Sequence, residues 1–224
     1  MRLNNFCKIA AVIFLTLFVA GCTAYPDISA DKAILPYVEL YATGKSEHIA
    51  DAGISEKTAQ KIYDEIHTTL KNKLSVYPLN DETLEKVADD YIKYLQEVTK
   101  VQTSLKKYEI KKPIVEVRAI MIDESGFDYE SGDMNQFKKL DGFSELYARL
   151  KAVRERDVTD EQIHTYEEFQ NFMAKCLNRM LRSMPVNERT LDVKCTRLQG
   201  DDAKMYWGPE DFDMLVKFAQ GQKI

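Results

Sequence analysis

Glycine and proline are scarce in this chain, nine and six residues among 224, which excludes a collagen-like or linker-dominated architecture. Histidine is scarcer still. His48, His67 and His164 lie far apart, no pair has zinc spacing and no Cys-x-x-Cys pair occurs, so the sequence assembles no metal or cofactor set. Glycine-rich phosphate loops and serine nucleophile elbows are also missing. So is any apolar run long enough to span a bilayer. The longest, Ile9 to Ala20, is interrupted by Thr16 and counts twelve residues, where a core of about 30 Å takes roughly 20 helical ones. Basic charge is in deficit, with 31 Lys and Arg against 36 Asp and Glu, a net −5 and a pI near 5.4. That balance sets nucleic acid aside as the main ligand. What is present is a chain 45% hydrophobic and 30% charged, long enough to bury one sizeable core or two small ones.

The first eight residues, with Arg2 and Lys8, form a basic head before the twelve-residue apolar stretch, the pattern of a secretory signal. Val19-Ala20-Gly21-Cys22 then looks like a bacterial lipobox. Small residues suit a peptidase that works on an extended segment at the membrane face, and only a thiol is nucleophilic enough to form the diacylglyceryl thioether. Cleavage between Gly21 and Cys22 would leave Cys22 as the lipid-bearing first residue, its acyl chains palmitate-like. Two such chains, at ~0.8 kcal/mol per buried CH₂, make attachment effectively permanent. An ordinary signal peptide with a chance small pair is the alternative. Without its first 21 residues the chain carries 29 basic against 36 acidic side chains, a net −7. Thr23, not Asp, follows the cysteine, which removes the commonest inner-membrane retention signal; the expected location is the cell membrane, facing outside the cytoplasm, with the outer membrane open to it in a host that has one.

Residues 1–21 are thus expected to be a lipoprotein signal peptide, 22–28 a lipidated terminus and short tether, and 29–220 a single α+β domain. The periodicities are mostly helical. Ile34, Tyr37, Val38 and Tyr41 give a first short helix, with Pro36 inside it and Gly44 as its stop. Ser55 caps a second. Asn80 caps a third, a long one reaching through Leu95 and Val98 to Val101. β-Branched residues from Ile114 to Ile122 predict a strand over about 107–122. An acidic loop follows, then a helix through Leu146 and Leu150, weakened at Asp141-Gly142. The capping box Thr159 to Gln162 opens another helix that runs to Met184 and ends at Pro185. Alternation over 189–198, a turn at Gly200-Asp201-Asp202 and a return through Met205 to Trp207 read as a hairpin. Gly208 and Pro209 are expected as cap and first residue of a closing helix. The fold class is therefore α+β, predominantly helical, with a small antiparallel sheet of about three strands.

This order of elements resembles a family of uncharacterised lipoproteins of Firmicute-type bacteria, a domain of unknown function. Its carriers here are the stretch Tyr37 to Lys45, Gly53-Ile54-Ser55, the strand Ile114 to Ile122, and Trp207 to Phe212. The closing strand, turn, Trp-bearing strand and helix are also distantly similar to nuclear-transport-factor-2-like lipoproteins, whose curved sheet wraps helices to form a pocket. That second resemblance implies a partial, cone-shaped, cystatin-like arrangement. The chain departs from it in having fewer strands and an extra helical pair between them.

Apart from lipidation at Cys22, the residues suggest no catalytic constellation. Export would permit a disulfide between Cys176 and Cys195, but geometry weighs against it. Measured from the turn at Pro185, one lies ~14 Å back along a helix and the other ~20 Å out along a strand. Two buried thiols are the favoured reading. The histidines read as solvated, and Asp123, Glu124, Asp128, Glu130 and Asp133 as a solvated turn that does not match the EF-hand pattern. Lys106, Lys107, Lys111 and Lys112 read first as protection of a strand edge and second as contacts to anionic headgroups. The Phe, Tyr and Met positions between 163 and 184 read as core. The expected function is a membrane-anchored, extracytoplasmic, non-enzymatic module that binds a protein, an envelope polymer or a small molecule. The alternative is a cell-envelope hydrolase with a pocket carboxylate pair, and a third reading is a structural spacer.

Overall fold

In the computed structural model, which describes residues 25–109, 111–124, 142–153 and 159–222, the two long helices that follow the first begin where the sequence supplies a side-chain cap. The Ser55 hydroxyl accepts from the Thr58 amide at the start of helix α2 (Glu56–Leu74), and the Asn80 side chain accepts from the Thr83 amide at the start of α3 (Asp81–Val98). Each satisfies an amide that the first helical turn leaves without a partner. Before them, α1 (Ala30–Thr43) ends on Gly44, whose left-handed backbone (φ 73°) lets its amide reach the Leu40 carbonyl. A Cβ there would come within 2.8 Å of the Tyr63 ring. A 3-10 turn, Ile49–Ala52, links α1 to α2.

The long third helix stops three residues short of Val101. Thr99 is extended (φ −74°, ψ 129°), and the chain enters a strand the periodicity did not announce, β1 (Lys100–Lys107). Val101 and Thr103 turn toward the protein at spacing two, and β-branching around Thr99 favours extended backbone over another helical turn. The expected single strand over 107–122 is thus two elements, because the turn ending at Pro113 separates β1 from β2 (Ile114–Ile122). Strands β3 (Val186–Gln199) and β4 (Met205–Pro209) complete an antiparallel meander in the order β1-β2-β3-β4. The sheet has four strands where about three were expected. The α+β class with a helical majority is borne out.

Pro209 belongs to β4, so the closing helix α7 (Phe212–Ala219) is capped by Asp211, which accepts from the Met214 amide, and not by Gly208. Between β2 and β3 lie α4 (Phe143–Val153), α5 (Asp160–His164) and α6 (Glu167–Arg182). The capping box at Thr159 and Gln162 is present, but the helix it opens breaks at Thr165-Tyr166, so the expected continuous helix is two.

Burial alternates along β2: Val115, Val117, Ala119 and Met121 are covered while Arg118 and Ile120 are exposed. The covered face receives α1, which is apolar on nearly all sides and therefore lies inside, together with Leu215 and Phe218 of α7. A second cluster joins α2, α3, α4 and α6 through Leu74, Val87, Tyr91, Phe143, Phe169 and Met173. Each side chain so buried contributes about 1.5–3 kcal/mol relative to exposure. No ladder joins β1 to β4 among the described residues, so the sheet is open.

Candidate functional site

Gly21 and Cys22, the cleavage and lipidation pair, lie outside the described residues, as does the whole signal segment. Three residues beyond Cys22 the chain is already against the fold. The Tyr25 ring stands edge-on to Trp207 with centroids 5.5 Å apart, the Arg197 guanidinium is 6.0 Å from the Tyr25 centroid, and Pro26 is buried. Burial pushes the Tyr25 phenol above its ordinary pKa, and the neighbouring Tyr108 phenol adds to the shift. The chain therefore leaves the fold at the end of the sheet that carries the β1–β2 turn.

Lysines crowd that end. Lys106 bonds to Asp192 at 2.6 Å, Lys107 pairs with Glu109 at 2.6 Å and Lys112 with Glu210 at 2.7 Å. Strand β1 is an edge of the sheet, and lysines such as Lys100, Lys106 and Lys107 along it discourage pairing with another chain.

A polar cleft of about 280 Å³ opens where the end of α1 meets the end of α3. Glu39 projects from the apolar α1 and accepts the Ser46 hydroxyl at 2.6 Å, and Gln96 donates to the Thr43 carbonyl at 3.1 Å. His48 and Thr99 complete the wall, and the Thr99 Oγ1 is buried with no hydrogen-bond partner among the described residues. Such a group is costly without a partner. These residues supply hydrogen-bond donors and acceptors of both kinds, suited to holding a small polar molecule. Sequence reasoning passed them over. The available signal was Glu39 itself, one acid among Tyr37, Val38, Leu40 and Tyr41 in the buried second half of the helix.

Two histidines are less solvated than expected. His67 lies between α2 and α3 with its Nε2 3.2 Å from Asp89 and 3.7 Å from Glu85, and its ring stacks on Tyr63. Lys71 donates to Glu85 at 2.9 Å, which holds that carboxyl below its ordinary range. Lys71 also lies 3.8 Å from Asp81, so the half-exposed ion pairs of Lys71 flank the largely covered His67 ring. His164 stacks on Phe169 at 4.6 Å. Among the described residues no three His, Cys, Asp or Glu side chains converge as a metal would require.

Both described cysteines are free thiols. Cys195 points into the α1–sheet core, and burial pushes its pKa up to about 12, only partly offset by a backbone hydrogen bond from Val115. Cys176 packs beside the other cluster, on α6, and burial raises its pKa too. Thiols held this far from the thiolate are poor nucleophiles. Of the acidic loop, Asp123 and Glu124 are described. Asp123 accepts from Asn187, and Glu124 accepts from the Tyr91 phenol and from Lys73. Asp128, Glu130 and Asp133 lie outside the described residues. The apolar positions of α6, Phe169, Met173 and Leu177, are fully buried core. Its outer face carries Lys175, Arg179 and Arg182 along a shallow trough of about 560 Å³.

No family model matches the chain, and no curated protein matches it. Among solved structures it is similar to the crystal structure of a candidate lipoprotein, YcdA, from Bacillus subtilis, with 16% sequence identity and a TM-score of 0.44. The match covers 84% of this chain and 55% of that one, so the chain spans about half the length of the protein it matches.

Proposed function

We propose that the chain is a bacterial lipoprotein, held outside the cytoplasm by a diacylglyceryl thioether on Cys22, with residues 29–220 as a domain that acts by binding. The observation that carries this reading is Val19-Ala20-Gly21-Cys22, placed directly after a basic head and an apolar stretch too short to span. No helix of the described residues is long and apolar enough to cross a membrane. Three further findings support binding over catalysis. The buried thiol of Cys195 is held in its neutral form, the His67 Nε2 is already engaged by the α3 carboxylates of Asp89 and Glu85, and the cleft at Glu39 offers hydrogen-bonding groups in a recess the size of a small polar molecule. The partner class, whether small molecule, envelope polymer or surface protein, is a matter for ligand screening against the anchored form.

Replacing Cys22 with Ser tests the anchor. The variant is expected to accumulate as an unprocessed precursor without incorporated fatty acid. Processing that continues at Gly21 in the variant would overturn the lipoprotein reading.

A further inference from the structure

The end of the sheet that carries the β1–β2 turn lies beside the first described residues, and we propose that it is the face on which the tethered protein rests against an anionic lipid bilayer. The inference rests on lipidation of Cys22. Given that anchor, covalent reach decides most of the orientation. Tyr25 is three residues beyond Cys22, a distance of at most ~11 Å when extended, and Tyr25 is fixed against Trp207 and close to Tyr108. The lipid must therefore enter the bilayer beside this end of the molecule.

The charge at this end complements an anionic surface. Lys106, Lys107 and Lys112 are paired with carboxylates, but Lys111, Lys194 and Arg197 have none within 4.0 Å among the described residues. All three lie at one end of the sheet, though not on one face of it: Lys194 stands opposite Ile114 at the base of the turn that holds Lys111, and Arg197, three residues further along β3 and therefore on the other face, stands opposite Trp207 with its guanidinium 6.0 Å from the Tyr25 ring centroid. Protection of a strand edge accounts for the lysines of β1. It does not account for Lys194 and Arg197, which belong to the interior strand β3. Three cations without a close ion pair at one end of the sheet are notable in a chain whose balance beyond residue 21 is −7, although Lys194 is near enough to Glu210 to lower its pKa.

Apolar surface is exposed at the same place. Tyr25 is 41% exposed, Tyr108 69% and Leu105 40%. Tyrosine, with an apolar ring and a polar tip, favours the headgroup level of a bilayer. Lipid attachment, cations and phenols thus meet on one end, and three cations near anionic lipid favour the docked orientation by about a hundredfold.

The test uses the full mature, lipidated protein reconstituted into vesicles of phosphatidylcholine alone or with phosphatidylglycerol added. A water-soluble amine reagent reports each lysine by mass spectrometry. Labelling of Lys111 and Lys194 is expected to slow by about tenfold on anionic vesicles, to recover at high salt, and to leave Lys57 and Lys175 unchanged. In the double variant Lys194→Glu with Arg197→Glu, Lys111 is expected to label at the same rate on both vesicle types. Equal labelling on the two vesicle types for the unaltered protein would overturn the proposal, as would slowing at Lys175 in place of Lys111, which would mean that the α6 face docks. The intact mass is read first, and a protein without the diacylglyceryl group would overturn the lipoprotein reading together with this one.

Discussion

Gln170 provides a quantitative check on the way the helices are tied together. It sits near the start of α6, 4% exposed, where a polar side chain survives only if its hydrogen bonds are met. Its Oε1 accepts the Asn80 amide at 2.9 Å, and its Nε2 donates to the Pro78 carbonyl at 3.0 Å and to the His164 carbonyl. One amide therefore joins the loop that caps α3 to the break between α5 and α6. Replacing Gln170 with Leu removes three bonds, each contributing about 1 kcal/mol net, and leaves the Asn80 amide and the Pro78 carbonyl without partners at about 1 kcal/mol or more apiece. A loss of roughly 3–5 kcal/mol is expected, large against a total stability of about 5–15 kcal/mol. Urea titration should show the midpoint falling with the slope unchanged, and the thermal midpoint should drop by about 6–20 °C. Gln60→Leu, which removes only an exposed bond to Asp64, is expected to stay within about 0.5 kcal/mol. A Gln170→Leu cost no larger than that control would refute the reasoning.

Three other outcomes follow from the packing. Asp201 accepts from the Ser55 amide at 2.8 Å and the Thr58 hydroxyl at 2.7 Å, pinning the β3–β4 turn to the start of α2. Partial burial opposes its ionisation, but those bonds and the Lys61 charge outweigh it and hold its pKa below the ordinary value. Its contribution is then present above about pH 4 and lost as the pH falls through the depressed value. Asp201→Ala should cost about 1–2 kcal/mol at pH 7, and the gap between the two melting curves should close on acidification; a gap that widens would contradict this. Gly53→Ala places a Cβ 2.3 Å from the Tyr206 ring at φ 65°, whereas Gly142→Ala meets only Phe172 at 3.8 Å, although its φ is also positive. In denaturant titration the first should cost about 3 kcal/mol and the second about 1, and equal costs would contradict the close approach of Gly53 to the Tyr206 ring. Cys195, fully buried with its pKa near 12, should resist a thiol reagent at pH 8 until denaturant is added, and rapid labelling in the native state would show that the sheet does not cover it.

Local chemistry was legible in the sequence and long-range chemistry was not. Ser55, Asn80, Thr159 and Gly44 announce helix ends because a cap needs only a neighbour three or four residues away. The β3–β4 hairpin was readable for the same reason, through alternation on both sides of a Gly-Asp-Asp turn. Strand β1 was not, since one of its two partly covered positions is Thr103, its one leucine, Leu105, is exposed, and the remaining positions are lysines and uncharged polar residues. That pattern gives an edge strand little apolar contrast. Asp201 reads as a turn residue, and its role as a second cap for α2 depends on a partner 146 positions away. Gln170 reads as solvated helix surface until its three partners are folded around it. The anchor at Cys22 is the opposite case, a motif complete within four consecutive residues.

The measurement that bears most directly on the account is the mass of the amino-terminal peptide of the protein recovered from bacterial membranes. The account predicts a chain beginning at Cys22 with a diacylglyceryl thioether on its sulfur. A water-soluble product that starts at another residue and carries no fatty acid would contradict it.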